Sequence, residues 1–149
     1  RGAARIGEAW ARAARKIGPQ GEKIARGENA AIQAQFPRAE VKVPQGVEAR
    51  RWLPDPDDIH VFAAAIGSSC DAIMTMNAKD FPRNELADQG LERVDPDGFL
   101  IGLAVQHPVE VQIVGEAVLA EARRLSGEPW EMRKLMRKAR LPRLGKLLG

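Results

Sequence analysis

The sequence predicts an α/β fold with a parallel sheet, followed by a small all-α C-terminal domain. Two observations support this prediction. Up to about residue 107, short apolar runs typical of buried strands alternate with patterns of helical spacing. From Pro108 onward the patterns are helical only. We therefore place the first domain at residues 1–107 and a basic helical domain at residues 108–149.

The N-terminal part predicts two helices and a short strand. Apolar residues recur every three or four positions from Ala3 to Ile17, which indicates a helix that Gly18-Pro19 ends. A second helix is expected from about Gly21 to Gln35. The alternation at Val41-Lys42-Val43 then indicates a short strand that ends at Pro44.

Helix and strand alternate from residue 55 to residue 106. Asp55 and Pro56 suit the N-cap and the first helical position, so they open a helix that runs through Ile66. The next predicted elements are, in order, a buried parallel strand at 72–76, a short helix at 83–89, a strand at 91–94 and a helix that Asp95-Pro96 opens and that reaches about residue 106. Three further helices are expected at 108–125, 129–139 and 142–148, each beginning with proline.

The composition is that of a globular protein without a membrane anchor. Apolar residues make up 44% of the chain and charged residues 29%. The sequence has no apolar run long enough to span a bilayer, and its first residues lack the apolar core of a signal peptide. Cys70 is the one cysteine, so no disulfide can form within the chain. We expect a cytoplasmic protein that does not bind membranes.

Charge is distributed unevenly along the chain. Residues 53–98 contain ten acids and three bases, whereas residues 120–149 contain nine bases and three acids. Residues 1–26 are also basic, with seven bases and two acids. An acidic centre between basic ends suits a metal site flanked by phosphate-binding surfaces. It equally suits solvated helical faces, and composition does not separate the two.

The acids that could have a catalytic role lie at positions that a parallel sheet would bring close together. Asp57 and Asp58 lie in the first turn of a predicted helix, and Asn77 and Asp80 follow the predicted strand at 72–76. The carboxyl ends of parallel strands face helix N-termini, so these groups would converge. Clustered carboxylates repel one another unless a cation such as Mg²⁺ binds them, and Mg²⁺ can assist hydrolysis of a phosphodiester. Each residue also has a purely structural interpretation as a cap, a helix-dipole partner or a turn residue.

Two central motifs resemble those of PIN-domain proteins. One is the acid-led, alanine-rich helix at 57–66 (DDIHVFAAAI), and the other is MTMNAKDFP at 74–82. VDPDGFL at 94–100 is similar to a motif of one VapC-like branch that has a helical C-terminal extension. The resemblance covers residues 5–145 or so. It implies a PIN-like three-layer α/β/α fold and a metal-dependent endoribonuclease, often the toxin of a toxin–antitoxin pair.

The resemblance also implies roles for individual residues. Mg²⁺ (or Mn²⁺) would be held by four side chains: Asp58, Asn77, Asp80 and Glu8. The three acids among them would be catalytic. Thr75 would be the hydroxyl residue beside the metal, and Asp57 would support Asp58.

One family feature would precede Arg1. PIN domains begin with a central strand that ends in an aspartate, whereas Arg1–Glu8 already matches the helix of the second acid. We therefore expect the PIN-like domain to be N-terminally incomplete here. Either a segment precedes Arg1, or a dimeric partner supplies it, or the strand and the activity are both lost.

The C-terminal helices suggest partners. Arg133, Lys134, Arg137 and Lys138 form a basic face that either binds nucleic acid or only keeps the helices in solution. The family resemblance adds two expected partners, RNA and a cognate antitoxin whose arginines could cover an acidic groove. A homodimer is one possible oligomeric state.

Two other functions fit parts of the pattern. A catalytically inactive PIN-like protein would bind RNA or a partner without cleavage, and the absent first acid favours it. A receiver-type signalling domain shares paired acids, Thr75 and Lys79 with this chain. In a receiver, however, the lysine lies a strand later than the threonine. Here both residues lie in one turn, which disfavours the receiver.

Overall fold

The computed structural model describes residues 2–18, 20–43, 46–48 and 52–149. The chain divides into two compact units. The first comprises Arg1–Ile73 and Asn77–Arg93, and the second comprises Met74–Met76 and Val94–Gly149. Each unit has a buried apolar cluster of its own.

A short parallel sheet lies in the N-terminal part of the first unit. β1 (Gly2–Ala3) pairs with β2 (Glu40–Val41), so that Gly2 stands opposite Glu40 and Ala3 opposite Val41. β2 overlaps the predicted strand but begins one residue earlier. Pro44, where that strand was expected to end, lies outside the described residues.

Two helices that pack through alanines lie between these strands. α1 (Ala4–Ala13) continues into a 3₁₀ turn (Ala14–Ile17), and α2 spans Gly21–Gln35. The bounds of α2 confirm the prediction. The first helix is confirmed from Ala4 onward, apart from its tighter last turn, whereas Ala3 lies in β1. The buried residues of this region are Ala11, Ala14 and Ala25. Such small side chains allow two helix axes to approach closely.

The main core of the first unit surrounds α3. A 3₁₀ turn (Pro56–Asp58) leads directly into α3 (Ile59–Gly67), and α4 (Arg83–Ala87) packs later in the same unit. The buried members of this core are Leu53, Phe62, Ala65, Ile73, Phe81, Leu86 and Leu91. Burial of each large side chain stabilises the fold by about 1.5–3 kcal/mol. This core therefore anchors both segments that carry the candidate acids.

The loop after residue 76 lies in sequence between the strands of a second pair. β3 (Ala72–Met74) and β4 (Glu92–Val94) are hydrogen-bonded neighbours. The N–H of Glu92 donates to the Asp71 carbonyl at 2.9 Å, and the N–H of Thr75 donates to the Val94 carbonyl at 3.1 Å. Both partners advance together along the chain, which is the pattern of a parallel pair.

The strand predicted at 72–76 is shorter and less buried than expected. It ends at Met74, Ile73 is its one buried residue, and Met74 and Met76 are about half exposed. The reason is the length of the partner strand. β4 stops at Val94 because the next residue already caps a helix, so residue 76 has no strand beside it.

The second unit consists mainly of four helices. They are α5 (Pro96–Gln106), α6 (Pro108–Ser126), α7 (Met132–Lys138) and α8 (Pro142–Leu148). Their core contains Ala104, Met132, Met136 and Leu144. α6 ends as its sequence predicts, because Gly127 adopts the left-handed conformation (φ 70°) that favours glycine at this position.

α7 starts three residues after the predicted first position at Pro129. Two side chains hold the preceding segment outside the helix. Arg123 Nε donates to the Trp130 carbonyl at 2.8 Å, and Trp130 Nε1 donates to Ser126 Oγ at 3.1 Å. The Trp130 carbonyl is therefore occupied by a side chain instead of a helical N–H.

The helix α5, which the sequence assigns to the first domain, packs with the C-terminal helices. Its buried Asp97 accepts hydrogen bonds from the backbone N–H groups of Arg143 and Leu144, both at 2.9 Å. These N–H groups lie in the first turn of α8 and have no partner within that helix. The compact units accordingly divide after Arg93, whereas the sequence places the domain boundary after His107.

The fold class is thus mixed α/β with a predominance of helix. The described residues contain two sheets, each of two strands. Within those residues, no helix is both long and apolar enough to cross a membrane.

Candidate metal site

The first segment of the site is the turn that opens α3. Asp55 is the N-cap, as predicted, and its Oδ1 accepts a hydrogen bond from the N–H of Asp57 at 2.9 Å. The N–H of Asp58 donates to the Asp55 carbonyl at 3.1 Å, which closes a 3₁₀ turn. In a 3₁₀ turn, side chains three residues apart lie one above the other. The local backbone therefore sets Asp55 and Asp58 side by side.

The second segment is the loop after β3. Nδ2 of Asn77 donates a short hydrogen bond to Oδ2 of Asp80. Nη1 of Arg93 donates to the Ala78 carbonyl at 2.6 Å and to the Phe81 carbonyl at 2.9 Å. The Phe81 side chain is buried in the core of the first unit. The Asp80 backbone is thus held on both sides, by Arg93 and by the Phe81 anchor.

The two segments bring three carboxylates together. One oxygen from each of Asp55, Asp58 and Asp80 lies within 4.8 Å of the other two, and all three residues are half-buried. The layout of a parallel sheet predicts that Asp58 and Asp80 approach each other. The structure places them together and adds Asp55.

The electrostatics of the group reflect this crowding. The pKa of Asp58 is raised above its ordinary value, first by burial and then by the negative charges of Asp55 and Asp80. His60 partly offsets this rise. Carboxylates that repel one another in a half-buried position bind a divalent cation favourably, because the ion replaces repulsion with attraction.

The donor set fits Mg²⁺ or Mn²⁺. These ions prefer carboxylate oxygens and water, and two oxygens that share one Mg²⁺ at about 2.1 Å lie at most ~4.2 Å apart. Oxygens within 4.8 Å of one another reach that spacing with small side-chain rotations. Asp55, Asp58 and Asp80 are therefore the residues that could hold the ion, and water molecules would complete its coordination.

Glu8 is placed differently from the other predicted metal ligands. It lies in α1 and pairs with Arg26 through two contacts of 2.9 and 3.0 Å, and Arg12 approaches it at 3.4 Å. The hydrogen bond from Arg26 is the main cause of a lowered pKa of Glu8. Among the described acidic, histidine and cysteine side chains, the close group is Asp55, Asp58 and Asp80, and Glu8 is not part of it.

The other predicted site residues take up separate positions. Asp57 is exposed, and its carbonyl lies 2.6 Å from His60 Nδ1. Thr75 belongs to the second compact unit, where its N–H donates to Val94. Asn77 orients Asp80 through its amide nitrogen. The predicted roles of Asp57, Thr75 and Asn77 at a metal stay predictions.

His60 is a packing residue, as its position inside the helix indicates. The ring is buried, and since Nδ1 faces the Asp57 carbonyl, Nδ1 carries the proton. Among the described residues, Nε2 has no hydrogen-bond partner.

The predicted nucleic-acid-binding residues lie on α7. Arg133, Lys134, Arg137 and Lys138 are all exposed. Lys134 pairs with Glu131 at 2.8 Å, and Lys138 Nζ lies 4.7 Å from the centre of the Trp130 ring.

Two residues of the site were missed at the level of sequence. The sequence predicts Asp55 only as a helix cap, and it predicts no role for Arg93. The spacing Asp55-x-x-Asp58 in a predicted first turn was a usable signal for Asp55, because caps and their i+3 neighbours share a face. Nothing local marks Arg93, since its two partners lie 12 and 15 residues away.

Comparison with protein families, curated proteins and solved structures finds no match to this chain. The PIN-like resemblance therefore depends on sequence motifs alone, mainly those at 57–66, 74–82 and 94–100.

Proposed function

We propose that this chain is the greater part of a Mg²⁺- or Mn²⁺-dependent endoribonuclease with a PIN-like three-layer α/β/α fold, of the VapC toxin type. The observation that carries the proposal is the convergence of Asp58 and Asp80, with Asp55, from two separate segments. Asp58 and Asp80 belong to the motifs that resemble PIN-domain proteins, and Asp55 precedes the first of these motifs. A carboxylate group that is costly without a cation supports a metal-binding role.

Each residue of the site has its own role in the proposed hydrolysis. When bound, the ion supplies positive charge beside the scissile phosphate and lowers the pKa of a coordinated water. Asp55, Asp58 and Asp80 would hold that ion, and their half-buried position limits their contact with bulk solvent. Arg93 and Asn77 keep Asp80 oriented toward the group. Rate acceleration then depends on how rigidly these side chains are held before substrate binds.

The proposal extends to cellular context. RNA is the substrate, a cognate antitoxin is the expected protein partner, and the cytoplasm is the expected compartment. A version of the chain extended at the N-terminus by a PIN-like first strand and its acid is part of the test.

A second candidate function has one observation in its favour. Glu8, which the resemblance implies as an additional metal-binding acid, is paired with Arg26 and Arg12. Glu8 also lies outside the close group of Asp55, Asp58 and Asp80. That pairing favours a catalytically inactive PIN-like protein that binds RNA or a partner.

The discriminating experiment is cleavage of a structured RNA with Mg²⁺ or Mn²⁺. Four proteins are compared: this chain, an N-terminally extended version, Asp58→Ala and the control Asp88→Asn. Asp88 is an exposed acid at the end of α4 in the same unit. We expect at least a hundredfold loss of cleavage in Asp58→Ala, as for removal of a key electrostatic group, and unchanged cleavage in Asp88→Asn. Equal cutting by the parent and Asp58→Ala would exclude the proposed site.

The inactive alternative makes a different prediction in the same assay. Neither this chain nor the extended version would cut RNA, and Mn²⁺ titration by calorimetry would show no binding that depends on Asp58.

A further inference from the structure

The last two helices carry basic side chains and no acidic ones. Residues 132–149 contain seven bases and no acid. The bases are Arg133, Lys134, Arg137, Lys138, Arg140, Arg143 and Lys146. The structure shows that these seven are not equivalent.

Three of the bases are already occupied. Arg143 pairs with Asp95 at 2.7 Å and with the buried Asp97 at 3.2 Å. Lys134 pairs with Glu131, and Lys138 lies over the face of Trp130. Their charges are partly neutralised or committed to packing.

Four bases remain: Arg133, Arg137, Arg140 and Lys146. All four are exposed, and none forms a salt bridge with a residue that the structure describes. Their positive charge is therefore free for an external anion.

These four bases follow one helical hairpin. Arg133 and Arg137 are one turn apart on α7, so they lie on the same side of that helix. Arg140 lies in the turn between the helices, with φ 62°. Lys146 lies on α8 next to Gly145, where an added Cβ would stand 2.8 Å from Met136 Cβ and 3.5 Å from Arg133 Cα. Glycine at 145 thus lets the backbones of the two helices approach closely, so the hairpin that carries the four bases is compact.

We propose that this hairpin, α7 with α8, binds the phosphodiester backbone of RNA through Arg133, Arg137, Arg140 and Lys146. The choice of RNA as the nucleic acid rests on the proposed function. Three of the four bases are arginines, whose planar guanidinium matches phosphate with paired hydrogen bonds. Successive phosphates along a strand suit a row of unpaired cations.

An anionic membrane is a poorer match for the same surface. A helix that lies in a membrane interface needs an exposed apolar face opposite its basic one. Here the apolar residues Met132, Met136 and Leu144 are buried in the core of the second unit. Leu147 is the large apolar residue of the hairpin that remains exposed.

The test is binding of a fluorescently labelled single-stranded RNA of mixed sequence, followed by anisotropy in EDTA. EDTA removes divalent ions, so the measurement does not depend on the metal site. The test variant changes Arg133, Arg137, Arg140 and Lys146 to Gln. The matched control changes four ion-paired arginines to Gln, namely Arg5, Arg12, Arg15 and Arg124. Both variants lose four positive charges, and circular dichroism verifies that both are folded.

We expect the test variant to bind at least tenfold more weakly than the parent at 100 mM KCl. The slope of log K against log [KCl] should fall by roughly 3, because each lost phosphate contact removes about 0.7 from the slope for a single strand. The control should stay within about twofold of the parent, since its bases are exposed pairs.

Three results would overturn the proposal: no RNA binding by the parent, equal losses in test variant and control, or binding to vesicles with 30% anionic phospholipid in place of RNA. The readouts separate this proposal from the nuclease proposal. Metal-free RNA binding that survives in a protein without cleavage would leave the hairpin assignment standing and remove the nuclease. RNA binding and cleavage that both survive loss of the four bases would leave the nuclease proposal standing and exclude the hairpin assignment.

Discussion

Replacing Asp97 with alanine is expected to destabilise the helices of the second unit. Asp97 is 6% exposed. Its carboxylate accepts three hydrogen bonds, from the N–H of Leu144 at 2.9 Å, from the N–H of Arg143 at 2.9 Å and from Arg143 Nε at 3.2 Å. It therefore caps the first turn of α8 from a helix some 46 residues earlier in the chain.

The size of the effect follows from these bonds. A hydrogen bond to a charged acceptor is worth about 1.5–3 kcal/mol, and Leu144 is buried, so water does not fully replace the lost partner. We expect a loss of about 3 kcal/mol in the free energy of unfolding. For a chain of this size that lowers Tm by about 6–12 °C. Thermal unfolding followed by circular dichroism at pH 7 measures it, and Asp88→Ala should lose less than about 0.5 kcal/mol.

The same carboxylate has a pH signature. Burial alone would raise the pKa of Asp97, but the N–H groups of Leu144 and Arg143 and the Arg143 guanidinium outweigh it, so the pKa is lowered from its ordinary 3.8. A lowered pKa in the folded state adds stability above the unfolded pKa and loses it as the pH falls through the folded pKa. The Tm difference between the parent and Asp97→Ala should be full at pH 6 and shrink below about pH 4. A Tm difference that stays constant from pH 6 to pH 2.5, or a loss no larger than that of Asp88→Ala, would refute the reasoning.

Two further predictions concern the acidic group. Without divalent ions, Asp58→Asn should raise the free energy of unfolding by about 1 kcal/mol at pH 7, because it removes repulsion from Asp55 and Asp80. Burial and these neighbours raise the pKa of Asp58, so the gain is full above that raised pKa and disappears below the ordinary value of 3.8. Urea unfolding in EDTA at pH 7 and pH 3 measures it, and a variant less stable than the parent at pH 7 would contradict the close approach of the three acids. Arg93→Met should weaken Mn²⁺ binding about tenfold or more, as loss of a partner that orients a ligand does. Calorimetry against Arg83→Met measures it, and equal affinities of the two variants would show that the Asp80 loop keeps its position without Arg93.

Most helix bounds could be predicted because their signals act within one turn. Asp55-Pro56 and Asp95-Pro96 each place a side-chain cap before a proline at the first helical position, and both caps form as predicted. Gly127 ends α6 for an equally local reason. Strand lengths were less predictable, because a strand ends where its hydrogen-bonded neighbour ends. The end of β3 depends on the end of β4, which lies twenty residues later.

Only part of the candidate site could be predicted from the sequence. Asp58 and Asp80 stand in motifs that resemble a known family, and their convergence could be anticipated from the layout of parallel strands. Glu8 fitted the same resemblance, but its environment is decided by Arg26, which comes from a different helix. A single acid on an exposed helical turn gives no sign of which charge it will meet.

The sequence by itself determined where most helices begin and end, that charge separates into an acidic middle and basic ends, and which acids flank a helix start and a strand end. These properties depend on residues a few positions apart, for which caps, prolines and glycines act directly on the backbone. Only the tertiary structure decided which charges meet: Asp55 with Asp80, Glu8 with Arg26, and Asp97 with the start of α8. Such pairs join residues 18 to 46 positions apart. Their contact follows from how the cores pack, because burial of apolar side chains fixes the positions of the backbones that carry the charges.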